Sequence, residues 1–170
     1  MTEQTLHITQ GEHAVGKGPD VVISTLLGSC VACCLWDPDA QVGGMNHMLL
    51  TTSPSVDRVQ ALSGINAMEM LINDMIKLGA ARDRIMAKAF GGACMIMGLS
   101  DIGAQNARFT LSYLKQEAIP IVSHSLGGHQ ARNVRFWPGT GRAMQKLTDV
   151  NVRDVAHRSA TKPGNGLELF

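Results

Sequence analysis

This sequence has no strong charge of either sign, no long apolar run and no second cluster of metal-ligand residues. Fifteen Lys and Arg against fourteen Asp and Glu leave a formal net charge of +1, and charged residues make up only 17% of the 170. That balance gives no steering field for nucleic acid or an anionic membrane, so no polyanionic partner is implied. Apolar runs fall short of the ~20 residues that a membrane-spanning helix needs, and Met1-Thr2-Glu3-Gln4 has neither the basic region nor the apolar segment of a leader. The expected location is therefore the cytoplasm, without membrane insertion. Four cysteines, Cys30, Cys33, Cys34 and Cys94, include a vicinal pair and form no disulfide framework, as suits a reducing compartment. Cys30-x-x-Cys33 has no second CxxC or HxxxH to complete a zinc site, and no metal or organic cofactor is expected. With 45% hydrophobic residues and no Pro/Gly/Ser-rich divider, the chain reads as one domain with a substantial core.

The most informative stretch runs from Ile23 to Leu50. Val21 to Thr25 is a β-branched strand leading to the tight turn Gly28-Ser29-Cys30. Val31 to Trp36 reads as a strand, Asp37-Pro38-Asp39-Ala40-Gln41 is turn chemistry, and Val42 to Leu50 returns. A hairpin centred between Pro38 and Asp39 places Cys30 opposite His47 or nearly so, with Cβ atoms roughly 5 Å apart. An imidazole at that distance can take the thiol's proton and leave a nucleophile for an amide carbonyl. Ser24, Thr25 and Asn46 are the candidates for orienting the ring, and the turn amides of Gly28, Ser29 and Cys30 for holding an oxyanion. Spacing alone leaves a second reading open, a buried structural cysteine beside a hydrogen-bonded strand histidine.

Elsewhere, Leu6-His7-Ile8 alternates as a first strand. Gly43-Gly44 marks a close approach, either by a substrate loop or by a packed sheet. Ser55 is a plausible N-cap for a helix from Val56 to Leu78, with Val59, Leu62, Ile65, Met68, Ile72, Met75 and Ile76 as its apolar stripe. Arg84 to Phe90 reads as a strand and Ile102 to Glu117 as a second helix, with Asn106 near its start placed to cap it or to touch substrate, the cap being favoured. Ile119 to Val122 is the next strand. Ser123 to His129 clusters hydroxyl and imidazole groups but lacks the acid and nucleophile elbow of a Ser-His hydrolase, and its glycines suggest a loop bordering the active face. Asn133 to Trp137 and Arg142 to Leu147 form a hairpin, and Arg132, Arg135 and Arg142 are solvated by default. Cys94 and one of Cys33 and Cys34 are assigned to structure. The polar tail over 151–170 is expected to be mobile, with Leu167 to Phe170 able to dock. The element order argues for an α/β single-domain sandwich of mixed, antiparallel-rich sheets with two main helices packed outside.

The runs LLGSCVACCLWD and VGGMNHMLL, with AKAFGGACM, IGAQN, IPIVSHSLGG and RNVRFWPGTGRAMQK following in order, resemble the chemoreceptor glutamine deamidase family CheD. The resemblance extends from about His13 to Leu147, within a domain over 1–150. It implies hydrolysis of specific glutamine side-chain amides in methyl-accepting chemotaxis receptors, with Cys30 as nucleophile and His47 as general base. It also implies a CheC-type phosphatase as a further partner. The family's third position, a threonine six residues before the cysteine, falls on Ser24, so the resemblance favours Ser24 over Thr25. Ala131 stands where the family usually has glycine. The alternative is a non-catalytic regulator that binds receptors or the phosphatase through the same face.

Overall fold

The computed structural model describes residues 2–50, 57–96, 101–149 and 166–170. In these residues the elements are β1 (Gln4–His7), β2 (His13–Lys17), β3 (Val21–Leu27), β4 (Val31–Asp37), β5 (Val42–Asn46), α1 (Asp57–Lys77), β6 (Met86–Gly91), α2 (Ile102–Gln116), β7 (Ile121–Leu126), β8 (Ala131–Trp137), β9 (Arg142–Thr148) and β10 (Leu167–Leu169). They form two five-stranded sheets, in the orders β1-β3-β8-β9-β10 and β2-β5-β4-β6-β7. Both helices pack on the outer face of the second sheet. The expected mixed sandwich with two external helices is what the chain forms, with the helices on one side only. No helix among the described residues is long and apolar enough to cross a membrane.

This layering explains why β4 is buried on both faces. Cys30, Ala32, Cys34 and Trp36 join the core between the sheets, while Cys33 and Leu35 join the core beneath the helices. The expectation that only one of the vicinal cysteines fills the core is thus corrected: both are fully buried, one in each core. On α1 the stripe is also narrower than periodicity suggested. Met68, Leu71, Ile72 and Met75 are buried, whereas Leu62, Ile65 and Ile76 are 59%, 41% and 41% exposed. Gly64 makes room for Phe109 of α2, whose ring would lie 2.5 Å from an added Cβ. The proposed Ser55 cap and the Val59 side chain lie outside the described residues.

The β4–β5 hairpin sets the register on which the site depends. Asp37 is the last ladder residue of β4 and pairs with Val42, and the ladder places Cys34 opposite Met45. The turn therefore centres between Asp39 and Ala40, one residue beyond the expected position. Two features cause this. The buried Asp37 carboxylate accepts the N–H groups of Asp39, Ala40 and Ala81 and the Arg84 guanidinium. Gln41 adopts a left-handed backbone, φ 54°, that closes the four-residue loop. Burial alone would raise the Asp37 pKa, but Arg84 and the three N–H donors hold it down at about 2.

Gly43 and Gly44 admit close neighbours, but these are structural. An added Cβ on Gly43 would meet the Pro138 carbonyl at 2.5 Å, and one on Gly44 would meet Leu71 at 2.6 Å. Of Ser123 to His129, expected as a loop, Ser123 to Leu126 belong to β7 and Gly127 to His129 lie outside it. Arg132 is buried, not solvated, and its Nη2 donates to the Gly127 carbonyl at 2.8 Å. Arg135 pairs with Glu3, and Arg142 lies 4.6 Å above the Trp137 ring. At the far edge, β10 pairs with β9, Phe170 packs edge-on against Phe90, and Lys88 Nζ donates to the Phe170 and Gly141 carbonyls.

Candidate active site

Cys30 lies where the chain crosses from one sheet to the other, between the end of β3 and the start of β4. A crossing turn has no ladder to hold it, and here all three of its carbonyls are held by other elements. Gly28 O accepts from Ala93 N at 3.1 Å, Cys30 O from Gly92 N at 2.8 Å, and Ser29 O from Asn106 Nδ2 at 2.9 Å. Among the described residues, the Ser29 and Cys30 N–H groups donate to no backbone carbonyl.

Gly91 supports the turn from beneath. Its φ is +109°, and an added Cβ would lie 2.2 Å from the Cys30 carbonyl oxygen. Gly91→Ala must displace either the strand or the turn. It is expected to lower stability by about 1–3 kcal/mol and turnover per folded molecule by roughly tenfold. Thermal unfolding beside an active-fraction titration measures both, and unchanged turnover would show that the turn's position does not matter.

His47 follows β5, where Met48 bridges to Val31. With the observed register His47 lies opposite Ala32, so direct opposition to Cys30 is corrected to a diagonal relation, two residues along the same face. Diagonal neighbours are about 7–8 Å apart at the backbone, within reach of a long side chain. Cys30 and His47 are both buried.

Thr25 meets the imidazole across the sandwich. Its Oγ1 is 2.7 Å from His47 Nδ1 and donates to the Ile8 carbonyl, also at 2.7 Å. A carbonyl only accepts, so the single hydroxyl proton goes to Ile8, and the Thr25 oxygen must accept from Nδ1–H. This selects the tautomer in which Nε2 carries a free lone pair, the form a general base requires. Ser24, favoured by the resemblance, faces away: strand alternation puts it with Val22 and the 58% exposed Leu26, on the opposite side from Thr25. Asn46 also points away from the ring, accepting the Cys33 N–H and donating to Met68 Sδ beneath the helices.

Two contributors were not legible in the sequence. The Ile8 carbonyl is main chain and leaves no residue-type signal. Asn106, read as a cap, is instead almost fully buried against the Gly28-Ser29-Cys30 turn. The cap of α2 is Asp101, which accepts from Ala104 N at 3.1 Å.

Burial sets the electrostatics. It pushes the Cys30 thiol above its ordinary pKa, opposed by the residue's own backbone N–H. It pushes His47 below the ordinary histidine value, opposed by the nearby Glu12 carboxylate. Both shifts favour the uncharged forms, thiol and neutral imidazole. An open cleft of about 260 Å³, lined by Glu12, His13, His47, Ser63, Asn66 and Met70 among others, reaches the histidine. Among the described residues no three His, Cys, Asp or Glu side chains are grouped to hold a metal ion.

The chain matches the family model described as CheD chemotactic sensory transduction over residues 50–147, a span that begins just after His47. Longer matches take in the whole site. A Caulobacter vibrioides protein is 50% identical over 160 residues, covering 93% of this chain and 86% of its own. An Agrobacterium fabrum protein is 52% identical over 176 residues, covering 97% and 96%, and one from Rhizobium rhizogenes is 50% identical over 182, covering 99% and 97%. Each of the three is named a probable chemoreceptor glutamine deamidase CheD. By sequence likeness over nearly its full length, the chain belongs to the CheD family.

Proposed function

We propose that this chain hydrolyses the side-chain amides of specific glutamines in chemotaxis receptors to glutamate, using Cys30 as nucleophile and His47 as base. The observation that carries the mechanism is the Thr25 hydroxyl, which spends its one proton on Ile8 and so fixes a basic Nε2 on His47. His47 removes the thiol proton as Cys30 sulfur attacks the amide carbon. The N–H groups of Ser29 and Cys30, which among the described residues donate to no backbone carbonyl, donate to the developing oxyanion. Protonated His47 returns its proton to departing ammonia. It then activates water against the thioester, which releases glutamate and restores the thiol. The cytoplasm is the compartment for such a reaction, and a CheC-type phosphatase is a second partner on this reading.

The direct test is mass spectrometry of receptor peptides after incubation. Deamidation adds about one dalton, the amide-to-acid difference, with one ammonia released per event. The pH profile supplies an independent check. Burial lowers the His47 pKa, so the neutral base persists to lower pH and the acid limb of kcat/KM falls below the ordinary histidine range of about 6.5. The raised Cys30 pKa carries the thiol form past the ordinary cysteine range at the alkaline end. An acid limb at or above about 6.5 would contradict a buried, neutral His47.

A further inference from the structure

We propose that Asn106 is a positioning residue of the deamidation reaction: by holding the Ser29 carbonyl it aims the Cys30 N–H at the oxyanion. The inference rests on the functional reading above and goes beyond it, since it assigns a role to a residue in a different element. In a trans peptide unit the C=O and N–H are fixed in one plane and point in opposite directions. The Ser29 carbonyl and the Cys30 N–H belong to one such unit. Whatever holds the carbonyl therefore directs the N–H the other way.

Asn106 Nδ2 donates to Ser29 O at 2.9 Å, across 77 residues of sequence. Its Oδ1 accepts from Leu50 N at 2.9 Å, which fixes the amide so that the nitrogen side faces Ser29. A primary amide supplies a donor and an acceptor in one plane without titrating. Ionised aspartate has no donor, and glutamine is one methylene longer. The helix is brought within reach by Gly103, where an added Cβ would lie 2.4 Å from the Gly92 and Ala93 carbonyls. Gly92 and Ala93 also donate to the Cys30 and Gly28 carbonyls. The same logic applies one unit earlier, where Ala93 N on Gly28 O directs the Ser29 N–H. Asn106 is 1% exposed and lies behind the turn, so it acts through the peptide and not on substrate.

The test compares two reactions of Cys30 in the full chain that differ in their need for an oxyanion site. Acyl transfer from p-nitrophenyl acetate to the thiol passes through a tetrahedral oxyanion and releases p-nitrophenolate. Alkylation by iodoacetamide is a direct displacement with no oxyanion. Rates for wild type, Asn106→Ala and the similarly sized Asn106→Leu are corrected with Cys30→Ala. In both variants acylation is expected to slow roughly 10²-fold, the loss of one oxyanion donor, while alkylation stays within about threefold. Receptor deamidation should fall with acylation, in kcat rather than KM. Equal slowing of both reactions would mean a merely structural role, and no slowing of either would mean none; each result overturns the proposal. If Asn106→Ala does not fold, Asn106→Leu decides alone, because it keeps a similar volume and has no donor in any protonation state. A wild-type protein that acylates but leaves receptors unchanged would overturn the functional reading without touching this one.

Discussion

Cys30→Ala is expected to leave a folded protein whose receptor deamidation is lowered roughly 10³-fold or more, to the level of an uncatalysed control. The side chain sits at a turn whose carbonyls are held by Ala93, Asn106 and Gly92, and alanine changes none of these bonds. Cys33→Ser and Cys34→Ser should behave in the opposite way. Both thiols are fully buried, one in each core, and a hydroxyl placed there without a partner costs about 1–3 kcal/mol. Their melting temperatures should fall while turnover per folded molecule stays near wild type. Measuring ammonia release and thermal unfolding on the four proteins separates the cases, and residual turnover in Cys30→Ala comparable to wild type would remove Cys30 from the chemistry.

Thr25→Val is expected to slow deamidation roughly 10²-fold, corresponding to about 2.7 kcal/mol of lost transition-state stabilisation. The substitution keeps the β-branched shape but leaves His47 Nδ1 and the Ile8 carbonyl without their shared partner. The ring then has no group selecting its tautomer, and a buried unpaired polar group destabilises by about 1–3 kcal/mol. Thr25→Ser retains the hydroxyl and should recover most of the rate. Ser24→Ala, on the outer face, should differ little from wild type. Single-turnover assays at equal folded concentration decide the matter. A crippled Ser24→Ala beside a normal Thr25→Val would return the role to Ser24 and overturn the relay through Ile8.

The contrast between Ser24 and Thr25 shows where the sequence was informative. The strand from Val21, the thiol at its end and the histidine on the returning segment were all legible, because composition and alternation fix them locally. The face on which each hydroxyl lies depends on which sheet the strand joins, and that is decided by pairing with β1 and β8. Likewise, the hairpin register turned on the left-handed Gln41 and on the Asp37 carboxylate gathering donors from as far away as Arg84. Asn106 stands in the second turn of a helix, where a cap is the economical local assignment. Its real partners, Ser29 and Leu50, lie 77 and 56 residues away and meet it only once α2 has packed.

The placement of Thr25 and His47 on different sheets has a consequence for the protein's life before it is fully folded. A chain emerging during synthesis carries its thiol early, but the hydroxyl that selects the imidazole tautomer reaches the ring only when the two sheets close on each other. The amide behind the thiol comes from α2, which is made before β8 and β9 complete the first sheet. On the proposed mechanism, a half-assembled molecule is expected to hold a cysteine with ordinary reactivity, and glutamines nearby are spared until the sheets close.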